Sequence, residues 1–246
     1  MFGEVAEEYD RVRPGYPPEL VSDVAEFASA EPSALEIGAG TGKATLAFAA
    51  HGARITALEP DPAMALVLRQ RAAGLGVTIA MTSLEDYEPD EVFDLVYSAQ
   101  AFHWAAPETR WTNVAAALRP GGALALFWNH DRIGDPAVWR RMLTVIHEHV
   151  PAVKPDAEMP TPEELIKEWP QTDLSERPEF GELRHEIYRW ERELSRADYL
   201  AYLTTQSSYR MLEDEERDEL AEQLEAVLPD QVVLEVVTLL YLAKRV

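Results

Sequence analysis

Residues 35–45 read Leu35-Glu36-Ile37-Gly38-Ala39-Gly40-Thr41-Gly42-Lys43-Ala44-Thr45, or LEIGAGTGKAT. Three glycines stand one residue apart, directly after a short apolar run. Ser33 to Ile37 has the length and apolarity of a strand. Lys43 to Ala50 reads as a helix, and His51-Gly52 ends it. The same rhythm continues on both sides. Pro17 to Ala30 carries apolar residues at helical spacing behind a proline start. Arg54 to Leu58 is a second strand, closed by Glu59-Pro60-Asp61-Pro62, and Ala63 to Ala73 is the next helix. Val77 to Met81 and Phe93 to Ser98 are further strands. Glu108 to Leu118 is a helix, Arg119 to Gly122 a turn, and Ala123 to Trp128 a strand. Strands alternating with helices of this length predict a parallel sheet covered by helices on both faces.

The pattern changes after Trp128. Residues 129–173 are richer in proline and charge and read as irregular helix. Leu183 to Trp190 reads as a strand, Ser195 to Leu212 and Glu213 to Leu228 as helices, and Gln231 to Arg245 as a late strand. The expected organisation is one α/β domain over residues 1–246, with helical cap elements at about 130–175 and 195–229 around the late strands.

The glycine loop departs from two phosphate-binding patterns. A P-loop requires glycine five places before the Gly-Lys pair and a hydroxyl residue after it. Here those places hold Ile37 and Ala44. A dinucleotide fingerprint, G-x-G-x-x-G, needs glycine where this chain has Lys43, which would obstruct close helix–strand packing. Dense glycine still lets a ligand approach the backbone closely. Glu36, just before the loop, is badly placed for pyrophosphate and well placed for a cation. Glu59 ends the second strand some twenty residues on, where an acid accepts ribose hydroxyls. The pair calls for a nucleoside that carries positive charge.

Five segments in order then resemble the class I S-adenosylmethionine-dependent methyltransferases: LEIGAGTG, Glu59 at the second strand's end, Thr82-Ser83-Leu84-Glu85-Asp86, FDLVYSAQAFHW, and LRPGG followed by ALALFW. Within that superfamily, AEEYDRVRPGYPPEL and SAQAFHW resemble the type 11 small-molecule group, near the trans-aconitate methyltransferase-like proteins. The resemblance implies a Rossmann-like seven-stranded, mostly parallel sheet with helices on both faces and a helical cap. It implies S-adenosyl-L-methionine as cofactor and S-adenosyl-L-homocysteine as product. Gly38, Ala39 and Gly40 would wrap the methionine part, with Glu36 near its ammonium. Glu59 and the adjoining Pro60 would lie at the ribose, and Ser83, Leu84 and Glu85 beside the adenine. Ser98 and Ala99 would border the cofactor. His103 would be a base or a positioning wall residue, with Trp104 beside it facing cofactor or substrate. Tyr9, Arg13, Asn129 and Arg132 are the further substrate-side candidates.

Composition narrows the acceptor. The chain has 246 residues, 22 basic against 44 acidic, for a formal charge of −22. That field repels nucleic acid and anionic lipid. The chain has no cysteine, which removes thiolate chemistry and the cysteine-dependent cytosine and arsenic methylations. The six histidines form no metal motif, so no metal is expected. The place after the fourth strand reads SAQAF, not the N/D-P-P-Y-like motif of amino-methylating DNA enzymes. A small-molecule acceptor is the expectation, with O-methylation of a carboxylate or hydroxyl favoured; the competing reading is a methyltransferase-fold protein that binds the cofactor without transferring the methyl. The N-terminus MFGEVAEEYD lacks a basic n-region and an apolar stretch, and no run long enough to cross a membrane occurs, so a cytoplasmic location is expected.

Overall fold

In the computed structural model, which describes residues 3–155 and 160–246, the chain divides into two compact units. The sheet unit comprises Pro14–Asn129, Thr161–Tyr188 and Thr238–Val246, and the second unit Met1–Arg13, His130–Pro160 and Arg189–Val237. Residues 156–159 of the expected cap lie outside the described residues. Residues 161–175, also expected in the cap, group with the sheet unit.

The strands are β1 Ser33–Ile37, β2 Arg54–Leu58, β3 Thr78–Ala80, β4 Phe93–Ala99, β5 Leu118–Ile133, β6 Phe180–Ser195 and β7 Gln231–Arg245. The helices are α1 Ala6–Val12, α2 Pro18–Ala28, α3 Lys43–Ala50, α4 Pro62–Arg71, α5 Arg110–Ala117, α6 Pro136–His149, α7 Pro162–Leu165, α8 Gln171–Ser175, α9 Arg196–Thr204, α10 Ser207–Arg210 and α11 Asp214–Val227. One seven-stranded sheet has the order β3-β2-β1-β4-β5-β7-β6. Pairings β1–β2, β1–β4, β2–β3 and β4–β5 are parallel. The chain runs outward from β1 to β3, then returns to lay β4 on β1's other side. The reversal makes the carboxyl ends of β1 and β4 a topological switch point, where open α/β sheets bind ligands.

Local chemistry explains the elements. β1 is buried from Ala34 to Ile37, as a central parallel strand must be. Pro62 sits at the first turn of α4, and Asp61 caps that helix by accepting from the Ala63 and Met64 amides at 2.9 and 3.1 Å. The sheet unit's core includes Leu35's neighbours Ala34 and Leu95, with Phe48, Tyr97 and Phe127 stacked across one face. The second unit has its own core, from Val12, Ile133 and Met142 through Tyr199, Leu220 and Leu224 to Leu234.

Several boundaries differ from the sequence expectation. The turn at Arg119–Gly122 is absorbed into β5 as an irregularity: Phe93 pairs with Leu118 and Leu95 with Ala123, so four residues of β5 stand opposite the single Asp94 of β4. A Cβ on Gly122 would lie 2.8 Å from the Arg119 carbonyl oxygen, so glycine is required there. β5 and β6 also run past their expected ends, to Ile133 and Ser195. The helix expected over Ser195–Leu212 breaks between α9 and α10. Thr204 and Thr205 turn their hydroxyls back onto the Ala201 and Tyr202 carbonyls, each at 2.7 Å, and such bonds compete with helix continuation.

Candidate functional site

The loop from β1 to α3 holds Gly38, Gly40 and Gly42 at φ of +69°, +58° and +94°, in the left-handed region. Their surroundings separate their roles. A Cβ on Gly38 would meet the Ala101 Cβ at 2.5 Å, and one on Gly42 the Leu68 Cδ1 at 2.5 Å. A Cβ on Gly40 would meet nothing within 4 Å. Two glycines therefore serve close packing of the chain on itself, and the third faces open space. The buried Ala39 between them anchors the loop, its amide donating to the Leu58 carbonyl at 2.9 Å.

Two acids stand on either side of that loop. Glu59 is nearly buried at the end of β2; its Oε2 accepts from the Gly40 amide at 2.7 Å and its Oε1 from the Asp61 amide at 2.8 Å. A carboxylate has about four lone-pair sites, so each oxygen keeps one for a ligand hydroxyl. Burial pushes its pKa up, against those two amides. The adjoining Pro60 is exposed. Glu36 is fully buried. The register pairs it with Tyr97, whose hydroxyl donates to Glu36 Oε2 at 2.9 Å, and Thr45 of α3 donates to the same oxygen at 2.5 Å. Oε1 is buried without a hydrogen-bond partner. Burial raises the Glu36 pKa to about 7, with the two hydroxyl donors pulling the other way. A carboxyl group with one orphaned oxygen beside a glycine cradle suits a cationic ligand group. Thr45 and Tyr97 were not among the sequence candidates. Their signal was the position of Thr45 on the first turn of α3 and the β1–β4 register.

The ends of β3 and β4 supply the remaining wall. Leu84 is buried, and Ser83 donates to Asp86 at 2.9 Å. Glu85 Oε1 accepts from the Ala106 amide at 2.6 Å, tying this segment to the turn that follows Trp104. Ser98 is fully buried and donates to the Ile37 carbonyl at 2.8 Å, which joins β4 to β1 just below the loop. Ala99 is half-buried, and Gln100 has a φ of +62°. His103 and Trp104 lie in a 3-10 turn, Phe102–Trp104, and both are exposed. Trp128 Nε1 lies 3.4 Å from His103 Nδ1. Partial burial of the ring, then the Arg110 cation, hold the His103 pKa below its ordinary value. The sequence reading gave no role to Arg110, Trp169 or Asp173. Arg110 is buried, and Asp173 accepts from it at 3.3 Å and from Trp169 Nε1 at 3.1 Å.

Asn129 uses both ends of its amide: Nδ2 donates to the Gly15 carbonyl at 3.1 Å, and Oδ1 accepts from Thr238 at 2.6 Å. The other three candidates belong to the second unit. Arg13 donates to Thr205 Oγ1 and to the Thr205 carbonyl at 2.8 and 2.7 Å, and its guanidinium stacks 4.9 Å from the Tyr9 ring centroid. Arg132 donates from Nε to Glu235 Oε2 at 2.8 Å. Among the described residues no group of three or more His, Asp or Glu side chains could hold a metal ion.

A switch-point crevice with a glycine cradle and an acid at each of the first two strand ends defines a class, and comparison with known proteins agrees. Residues 35–126 match the methyltransferase domain family. Over those residues the chain carries a domain of the class I S-adenosylmethionine-dependent methyltransferase type. An uncharacterized methyltransferase of Mycobacterium tuberculosis is 39% identical over 137 residues, 54% of this chain and 54% of that protein. The chain thus matches about half the length of its mycobacterial relatives. An uncharacterized methyltransferase-like protein of Schizosaccharomyces pombe is 29% identical over 223 residues, 89% of this chain and 82% of its own length. A solved structure from Anaeromyxobacter dehalogenans, assigned as a type II methyltransferase, is 25% identical with a TM-score of 0.63, covering 95% of this chain and 97% of its own.

Proposed function

We propose that this chain transfers a methyl group from S-adenosylmethionine to a small-molecule acceptor, with oxygen as the favoured nucleophile. The observations that carry the reading are the open space at Gly40, the orphaned carboxylate oxygen of Glu36, and the two oxygens of Glu59 that each hold a single backbone amide. Bound there, S-adenosylmethionine supplies a methyl group on a sulfonium that departs as a neutral thioether. Gly38, Ala39 and Gly40 let the methionine part lie against backbone. Glu36 places negative charge behind that backbone, near the ammonium. Glu59, with Pro60 beside it, takes the ribose hydroxyls. Ser83, Leu84 and Glu85 border the adenine, and Ser98 and Ala99 close the floor.

On the acceptor side stand His103, Trp104 and Asn129 of the sheet unit. Little chemistry is demanded of them. Holding a nucleophile in line at near-attack distance accounts for several kcal/mol of barrier lowering, roughly 7–11 in the best cases. Tyr9, Arg13 and Arg132 enter as weaker acceptor candidates: the two guanidiniums already have hydrogen-bond partners inside their own unit, and the Tyr9 ring lies against that of Arg13. The strong negative charge of the chain supports a small acceptor over nucleic acid or an anionic membrane. No helix of the described residues is long and apolar enough to cross a membrane; the proposed location is the cytoplasm. AEEYDRVRPGYPPEL and SAQAFHW support the trans-aconitate-like subgroup.

The test is calorimetric titration with S-adenosylhomocysteine, with NAD and ATP in parallel, followed by a screen of small acids and phenols for methyl transfer. Micromolar binding of the first ligand alone, with methylated product from one acceptor class, is the expected result. Cofactor binding without turnover across that screen favours a binding protein on the same fold. Absence of binding by a folded chain removes the reading.

A further inference from the structure

The role of His103 turns on which of its ring nitrogens carries a proton, and its neighbours decide that. The indole Nε1–H of Trp128 is a donor and never an acceptor. It lies 3.4 Å from His103 Nδ1. Nδ1 must therefore be the acceptor, and the proton of the neutral ring sits on Nε2.

Two further features hold this arrangement. Trp128 is wedged edge-to-face against Trp169 and Tyr241, with ring centroids 5.3 and 5.9 Å apart and interplanar angles of 65° and 74°. Its N–H direction is fixed by that packing. Behind it, the guanidinium of Arg110 lies 4.8 Å from the Trp169 ring centroid and 5.7 Å from that of Phe102, the residue before His103. Although Asp173 accepts from it at 3.3 Å, this buried cation still opposes a second proton on the imidazole. Nε2 makes no hydrogen bond to any described residue, and His103 is exposed.

We infer that Trp128 is a positioning residue that fixes His103 as the neutral Nε2–H tautomer, so that His103 meets the methyl acceptor as a hydrogen-bond donor and not as a general base. The inference rests on the methyl-transfer reading for its kinetic consequence, but the tautomer itself does not. With Nε2 already protonated and Nδ1 capped by the indole, the ring has no site ready to receive the acceptor's proton. The acceptor that fits is one that arrives ionised. Its oxygen lone pair forms the new O–C bond, the electron pair of the breaking C–S bond stays on sulfur, and no proton has to move. The Nε2–H then steadies an oxygen of the acceptor without quenching it.

The first test reads the tautomer directly. Long-range ¹H–¹⁵N correlation spectra of the ¹⁵N-labelled full chain at neutral pH resolve the imidazoles, and the spectrum of His103→Asn identifies the His103 signals. The expected pattern is a protonated Nε2 and an unprotonated Nδ1. In Trp128→Phe that pattern should relax toward mixed tautomers. A protonated Nδ1, or a pattern untouched by Trp128→Phe, overturns the inference. This result stands whether or not a methyl acceptor is found, so its failure and that of the methyl-transfer reading are distinguishable.

The second test uses turnover once an acceptor is in hand. His103→Gln keeps an amide N–H donor and offers no base, so it should stay within about tenfold of the native rate, the scale of one retained hydrogen bond. His103→Ala should lose clearly more. If His103→Gln is as slow as His103→Ala, with both down by about a hundredfold or more, a base role is restored and the inference fails.

Discussion

The two units differ in what holds their acids. In the second unit the charged side chains largely answer one another. Arg11 pairs with Glu8 and Asp198, Arg132 with Glu235, Arg196 with Asp230, and Arg217 with Asp214. In the sheet unit, Glu36 and Glu59 have no basic partner among the described residues. They are held by hydroxyls and backbone amides, and each retains oxygen capacity beyond those bonds. A carboxylate kept from a neutralising partner costs stability and gains selectivity for a cation or for hydroxyl donors. The difference separates ion pairs near the surface of one unit from two buried acids of the other that keep acceptor capacity for a ligand.

The comparison is most exposed at Glu59. Glu59→Ala removes the ribose acceptor and also frees the Gly40 amide that Glu59 holds. Affinity for S-adenosylhomocysteine should fall by about 1.5–3 kcal/mol, the scale for hydrogen bonds to a charged group, or roughly 10- to 150-fold. Calorimetry checks it. Unchanged affinity means the ribose lies elsewhere.

Gly40→Ala comes next and separates binding from folding. A left-handed φ of +58° costs an alanine about 1–2 kcal/mol, but its Cβ meets no protein atom. The protein should fold with a modestly lower Tm and lose at least about tenfold in cofactor affinity, since the methyl occupies the cradle. Gly38→Ala is the control: its Cβ meets Ala101 at 2.5 Å, so stability suffers along with binding. Retention of full affinity in Gly40→Ala would show that no ligand approaches that face of the loop.

Much of this was legible in the sequence, and for identifiable reasons. In the sheet unit local rules coincide. β1, α3 and β2 run over the residues their apolar runs and glycine or proline boundaries indicate. The acids at strand ends were readable because strand ends are where ligands meet an open sheet. Tyr97 as the partner of Glu36 was not, since it lies 61 residues away and only the β1–β4 register brings the two together. Trp128 and Arg110 were hidden for the same reason: their meaning depends on His103 and Trp169, which the chain delivers from other elements. In the second unit local and tertiary signals disagree. The run from Ser195 to Leu212 has helical periodicity, but Thr204 and Thr205 satisfy the backbone themselves and the helix stops.

Glu36→Gln tests the cost side of the comparison. The folded chain keeps the Glu36 proton up to about pH 7, against an ordinary value of 4.5. Between those values the unfolded chain has released a proton that the folded chain still holds. The contribution of this group to stability therefore falls as pH rises through that window, and is flat on either side. A neutral amide escapes the loss, so Glu36→Gln should raise the Tm of the ligand-free protein at pH 8 by about 2–4 °C, the shift expected for roughly 1 kcal/mol in a chain of this size. Its effect on binding has the opposite sign. The ionised form attracts the ammonium, so native affinity for S-adenosylhomocysteine should weaken as pH drops below about 7, with proton release on binding. Calorimetry in buffers of different ionisation enthalpy counts that proton. Glu36→Gln should abolish the release; if release persists unchanged, another group supplies it.

The smallest effect belongs to Arg132. Its guanidinium meets Glu235 at 2.7 Å, with both side chains about half exposed. Exposed pairs contribute about 0–1 kcal/mol, so Arg132→Ala and Glu235→Ala should each shift stability by less than that, and a double-mutant cycle should give a coupling of about 0.2–1 kcal/mol that weakens in salt. The acceptor's KM decides whether Arg132 belongs with the settled charges or with the site. An anionic acceptor that used Arg132 would have to displace Glu235. Removing Glu235 would then lower KM, and removing Arg132 would raise it. The expectation is that neither variant moves KM by more than about twofold, because a solvent-exposed pair already engaged on its own unit gives an acceptor little to gain. Opposite shifts in the two variants would put Glu235 in competition with the acceptor, and the line drawn between the two units would have to move.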